Sequence, residues 1–194
     1  MAHPAINVFF RNLIRCKHHI IRALKKDAIQ LIKRLRLKKH PEGGYFKQTY
    51  IADTIVNLVG YDKPRCISTA IYYMLVGDQF SAFHRIKSDE LWHHYMGGSL
   101  TVYAMDNNNG KLSKIKMGKS RGEAPQVAIK ANTWFAASLN DKKSYCLLGC
   151  TVSPGFDYSD WELGKRNELI KMYPQHRTII ERYTTTTTTT TTIV

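Results

Sequence analysis

Long hydrophobic runs are missing from this chain of 194 residues: Ile6–Phe10, the most apolar stretch near its start, ends at Arg11. No window approaches the roughly eighteen consecutive apolar residues of a membrane-spanning helix, so no membrane partner is expected. Cysteine is scarce too, with Cys16, Cys66, Cys146 and Cys150 the only four and no CxxC pair among them. That excludes a disulfide scaffold and points to a reduced compartment, with a cytoplasmic location as the first expectation. Cys146 and Cys150, four steps apart on one strand, would stand about 13 Å from each other and read as buried small apolar residues.

Acid is nearly absent from the start of the chain. Residues 1–39 carry eleven Lys and Arg against Asp27 alone, which is +10 of the total formal charge of +14. The remainder holds 18 basic and 14 acidic residues, an ordinary balance for a folded domain. The first 26 residues contain six Arg or Lys and no acid, the composition of a mitochondrial presequence, which makes mitochondria the alternative location. Serine and an evident cleavage site are both wanting there. Nucleic acid is not expected as a partner, because this segment lacks interleaved aromatics after Phe10 and no recognition fold accompanies it. A phosphate-cradling loop is absent as well: Gly43-Gly44 has no strand–loop–helix setting and reads as a bend.

What is present is apolar and aromatic content of 43% and 11%, enough for one packed domain and too much for disorder. From Phe10 to Leu35 the apolar residues fall at helical spacing, predicting one or two basic amphipathic helices. Short runs rich in Tyr, Val, Ile, Thr and Trp then follow at Tyr45–Tyr50, Ser68–Leu75, Leu91–Met96, Leu100–Met105, Gln126–Lys130, Thr133–Leu139 and Tyr145–Val152. Turn signals separate them, so an antiparallel sandwich or barrel is expected. Ser159 and Glu162 have capping-box spacing, predicting a C-terminal helix that starts there and stops at Pro174. Nine threonines, Thr184 to Thr192, read as a solvated tail. The expected organisation is a basic extension over 1–26, one domain over 27–183 and the tail over 184–194.

Chemistry concentrates in Phe83–Gly97. On a strand Glu90, Trp92 and His94 would share one face and Leu91, His93 and Tyr95 the other, so parity alone does not choose between the histidines. The segment resembles the first cupin motif, with His84, Glu90 and Gly97 at its first His, its Glu and its Gly. Ile86 occupies the second His of that motif, and Phe135 the His of the second motif. His40-Pro41-Glu42-Gly43-Gly44-Tyr45-Phe46, Thr69-Ala70-Ile71-Tyr72-Tyr73, Ala131-Asn132-Thr133-Trp134 and Pro154-Gly155-Phe156 resemble, in order, a cupin family labelled a domain of unknown function. The resemblance implies an all-β cupin double-stranded β-helix, or jelly roll, commonly a homodimer, carrying an N-terminal amphipathic helix and a C-terminal helix. It also implies a ligand-sized cavity and kinship in fold with sugar epimerases and storage proteins.

The leading expectation is therefore a binder of a small polar, sugar-like metabolite, acting as a metal-independent epimerase or isomerase. His84 and Glu90 would exchange protons, His93 would assist, and Tyr72, Trp92, Trp134 and Arg65 would contact the ligand. No cofactor is expected. Two alternatives stand beside it: a divalent-metal enzyme built on His84 and Glu90, short of two usual ligands, and a non-catalytic binding or storage module in which the His–Glu pair is a structural hydrogen-bonded unit.

Overall fold

The computed structural model describes Leu24 and residues 26–185. The expected extension over 1–26 and the threonine tail lie outside the described residues, save for Leu24, Lys26, Thr184 and Thr185. Residues 26–35 form helix α1. Thirteen strands follow among the described residues: β1 (Lys38–Lys39), β2 (Tyr45–Ile51), β3 (Ile55–Val56), β4 (Arg65–Cys66), β5 (Thr69–Val76), β6 (Phe80–Ile86), β7 (Asp89–Gly97), β8 (Leu100–Met105), β9 (Leu112–Met117), β10 (Gln126–Ile129), β11 (Trp134–Leu139), β12 (Tyr145–Ser153) and β13 (Trp161–Leu163). Helices α2 (Arg166–Met172) and α3 (Arg177–Arg182) close the domain. None of the helices described is long and apolar enough to cross a membrane.

Two antiparallel sheets face each other in a jelly roll. One has the order β1-β2-β5-β12-β7-β10, the other β13-β6-β11-β8-β9, and a β3–β4 pair stands apart. Strand alternation then decides which residue goes where. Tyr73 and Leu75 of β5, Cys146, Leu148 and Cys150 of β12, and Phe135, Ala137 and Leu139 of β11 fill the space between the sheets. The intervening residues are covered from outside. Met74 and Leu147 pack under Ala28, Leu31 and Leu37 at α1, while Trp134 and Ala136 pack with Phe83, Met105, Leu169 and Ile180 under α2 and α3. Both faces of β11 are thereby buried, which is why its sequence, WFAASL, shows no polar alternation. The helices thus seal the outer faces and leave an end of the sandwich for a cavity.

Three local expectations change. Ser159 and Glu162 do not form a capping box: Asp157 caps a short 3-10 turn at Tyr158–Asp160 by accepting from the Ser159 amide, and Trp161–Leu163 pairs with His84–Ile86 as β13. The helix starts only at Arg166. The cause is Asp160, buried and gripped by Arg65, which donates from Nε at 2.7 Å and from Nη2 at 3.0 Å. Thr184, expected as the start of the solvated tail, is buried. Its hydroxyl donates to the Ile180 carbonyl at 2.7 Å and accepts from Arg166 Nε at 2.9 Å. Finally, β6 and β9 stand where no strand was expected.

Arg65 and Asp160 each expose only 4% of their side chains. Breaking such a pair strands one charge in a dry site, which costs about 3–5 kcal/mol. Arg65→Met alone is therefore expected to lower stability by that amount in urea unfolding, whereas Arg65→Met combined with Asp160→Leu recovers most of the loss. Equal destabilisation by the single and double changes would show that the pair is not the anchor.

Candidate functional site

The cavity forms where inward positions of five strands meet two loops. Phe46 and Gln48 of β2, Thr69, Ile71 and Tyr73 of β5, His84 and Ile86 of β6, Glu90 and Trp92 of β7, and Cys150 and Val152 of β12 line it. Each strand contributes residues two apart, as alternation requires. His40 and Glu42 enter from the turn after β1, and Phe156, Tyr158 and Trp161 from the segment anchored by Asp160. The space open to the centre of a water molecule is about 110 Å³. At roughly 10–15 Å³ per water, that is room for several waters or one small ligand group.

Glu42 is the residue that the sequence reading missed. Its carboxylate, 6% exposed, receives the Ser81 hydroxyl at 3.0 Å on Oε1 and stands 3.1 Å from His84 Nε2 on Oε2. His84 Nδ1 lies 2.8 Å from the Ala82 carbonyl, an acceptor, so that nitrogen carries hydrogen. Nε2 then faces the Glu42 carboxylate. The local backbone places Glu42 there. The Ala82 amide donates to the Glu42 carbonyl at 2.8 Å, stitching the turn to β6. Gly43 and Gly44 have φ of 112° and 73°, and a Cβ on either would collide with the Phe80 or Met74 carbonyl. The available signal was an acid held between a proline and two glycines.

Glu90 occupies the same cavity in a different state. Burial, and after it the negative charge of Glu42, push its carboxyl up to about 8, with Trp92 and Cys150 opposing only in part. It is therefore a carboxylic acid at neutral pH. Burial also holds the Cys150 thiol well above its ordinary range, reinforced by Glu90 and Glu42, so it is no nucleophile. Burial lowers His40, with Glu42 pulling the other way, and keeps its imidazole neutral. Trp161 Nε1 is buried without a hydrogen-bond partner among the described residues.

The structure brings His84, Glu90 and Trp92 together and places the other expected site residues elsewhere. His93 has the opposite parity to Trp92, and its Nε2 lies 3.4 Å from the Thr151 hydroxyl. Tyr72 packs on the α1 side, edge-on to Tyr95. Trp134 lies under α2 and α3 with the Arg85 guanidinium over its ring at 4.6 Å. Arg65 is consumed by Asp160, so it positions the segment that carries Phe156, Tyr158 and Trp161 and contacts no cavity space. His84 and Glu90 do not form the expected pair, because the partner of His84 is Glu42.

Comparison with known proteins agrees with this architecture. Residues 29–164 match the profile of the family described as Cupin superfamily (DUF985). The chain belongs to that cupin family. This cupin is 34% identical to protein SO0799 from Shewanella oneidensis, with a TM-score of 0.73 over 80% of this chain and 96% of that one. It is 29% identical to a hypothetical protein from Leishmania major, with a TM-score of 0.76 over 81% and 98% of the two chains. The uncharacterized protein YML079W of Saccharomyces cerevisiae is 29% identical over 160 residues, covering 73% of this chain and 77% of its own.

The donor set does not fit a divalent metal. Both His84 nitrogens are engaged, the Phe135 ring lies 4.1 Å from the imidazole, and no three His, Cys, Asp or Glu side chains are grouped for coordination among the described residues. Glu90 gives the site a pH signature. Its ordinary carboxyl value is 4.5 and its folded value about 8, so the folded state holds the extra proton between these limits. Stability from this residue is complete below about pH 4.5 and is lost as pH rises through 8. The unfolding free energy of the native chain, from urea titrations, is expected to fall by about 1.4 kcal/mol per pH unit relative to Glu90→Gln across that window. A pH-independent difference would refute the protonated state.

Proposed function

We propose that this cupin catalyses proton transfer on a small, sugar-like carbonyl metabolite, in the manner of an isomerase or epimerase and without a metal. The observation that carries the reading is the meeting of unlike groups in one cavity: a neutral carboxylic acid, Glu90, and a carboxylate, Glu42, set against the His84 imidazole at 3.1 Å. Two titratable groups held in different protonation states are what acid–base chemistry on carbon needs. The acidic C–H proton passes to the Glu42–His84 pair as its electrons become a new C=C bond. The carbonyl oxygen takes the Glu90 proton, giving an enediol. Return of the proton to the neighbouring carbon, while the hydroxyl on the first carbon gives its proton to the ionised Glu90, isomerises the substrate; inversion instead takes a proton from solvent on the opposite face as the enol hydroxyl returns its own to Glu90. The apolar and aromatic lining keeps water from competing. The cavity accommodates a sugar-sized group, so a nucleotide-sugar would present only its sugar end.

Deuterium incorporation from heavy water into a panel of aldoses, ketoses and nucleotide-sugars, followed by NMR, tests the proposal. Exchange at one carbon is expected, reduced roughly 10²- to 10⁴-fold by Glu90→Gln and by Glu42→Gln. His93→Ala should leave it unchanged. Absence of exchange across the panel would refute catalysis and leave a binding protein.

A further inference from the structure

Basic side chains crowd one face of the domain without partners. Lys26, Lys33 and Arg34 of α1, Arg36 in the turn after it, and Lys38 and Lys39 of β1 are all exposed. None of the six makes an ion pair among the described residues; the Lys and Arg that do are Arg65, Arg85, Lys87, Lys130, Lys165 and Arg177. Asp27 is the sole acid in this stretch, and it lies on the flank of the helix with Gln30 and Arg34, beside Tyr145.

Packing fixes the direction in which the charge points. Ala28, Leu31 and Leu35 lie against Met74 and Leu147 of the six-stranded sheet. At about 100° per residue, Lys26, Ile29 and Lys33 fall on the opposite side of the helix. The apolar side of α1 is thus taken by its own domain and the basic side faces outward, with Ile29 standing 54% exposed among the cations. β1 is the edge strand of the same sheet, so Lys38 and Lys39 carry the positive face past the end of the helix.

Clustered like charge repels itself, and a polyanionic surface relieves that repulsion. Recognition of a nucleobase lacks material here, since residues 24–39 contain no aromatic side chain for stacking and Gln30 is their only amide. A bilayer uses what is present: isoleucine enters the headgroup layer while the flanking lysines stay at the phosphates. The sequence before Leu24 has the same character, with Arg11, Arg15, Lys17 and Arg22, no acid, and the apolar run Ile6–Phe10. We infer that the α1–β1 face docks this domain on a bilayer surface rich in anionic headgroups. With the apolar side of α1 already buried, the contact is peripheral, electrostatic and reversible. The lack of a spanning run bears on crossing a bilayer and not on resting against one.

Co-sedimentation of the full chain with vesicles tests this, using phosphatidylcholine alone and phosphatidylcholine mixed with phosphatidylserine. Binding is expected only to the mixed vesicles, and it should disappear as salt is raised from about 50 to about 500 mM. Each cation removed should lower the partition coefficient roughly fivefold, so Lys33→Gln combined with Lys38→Gln lowers it about 25-fold. Ile29→Ser should weaken binding by a factor that does not change with salt. Lys114→Gln combined with Lys116→Gln, exposed on β9 at the edge of the other sheet, should leave binding unchanged. If the α1–β1 double variant does not fold, Lys26→Gln combined with Lys39→Gln takes its place. No sedimentation with the mixed vesicles at low salt, or equal losses from the β9 and α1–β1 variants, would overturn the inference. So would tighter salt-sensitive binding to duplex RNA than to those vesicles, which would assign the face to nucleic acid.

Discussion

A carboxylate taken out of water must find compensation close by, and the burial of Glu42 sets the terms for everything around it. Ser81 supplies a hydrogen bond and His84 an imidazole 3.1 Å away, and they can do so only because β6 presents both residues at the end of the sandwich where the Gly43-Gly44 turn presses down. The same negative charge then reaches Glu90 across the cavity and helps to keep it protonated. Two carboxyl groups of similar intrinsic acidity are driven into different states by their surroundings. One has the Ser81 hydroxyl and the His84 ring beside it; the other has burial and a like charge.

Much of the fold was legible because its strands announce themselves by β-branched and aromatic runs between turns. Seven runs were placed close to their observed limits, and the jelly roll and the cupin family follow from motif order. The two longer strands that escaped notice hide for opposite reasons. Phe80–Ile86 contains His84 and Arg85 and runs straight into the polar Lys87-Ser88 turn, so it looks like a loop attached to the Glu90 strand. Leu112–Met117 is a solvent-facing edge whose Lys114 and Lys116 dilute its apolar positions, the charge pattern that keeps edges from pairing.

The site was less legible, and the reason is geometric. Alternation along β7 separates Glu90 and Trp92 from His93 once one face is known to be inside, but the sequence does not say which face that is. Tyr72 and Trp134 look like binding aromatics, yet the helices bury the outer faces of their strands, so an aromatic there is packing rather than wall. Arg65 looks like a ligand contact because its partner lies 95 positions away, a distance that no local pattern reports. Glu42 was overlooked for the same kind of reason. Its meaning comes from the meeting of a turn and a strand that are 40 residues apart in sequence.

Thr185 borders a hollow outside the cavity together with Lys39, His40, Glu42 and the two glycines. The described chain thus leaves the domain at the back of the turn that carries the buried carboxylate, on the side away from the ligand space. A bulky substitution at Thr185, Lys39 or Gln79 would therefore fill the hollow and press on the outer wall of the turn whose position determines the charge inside.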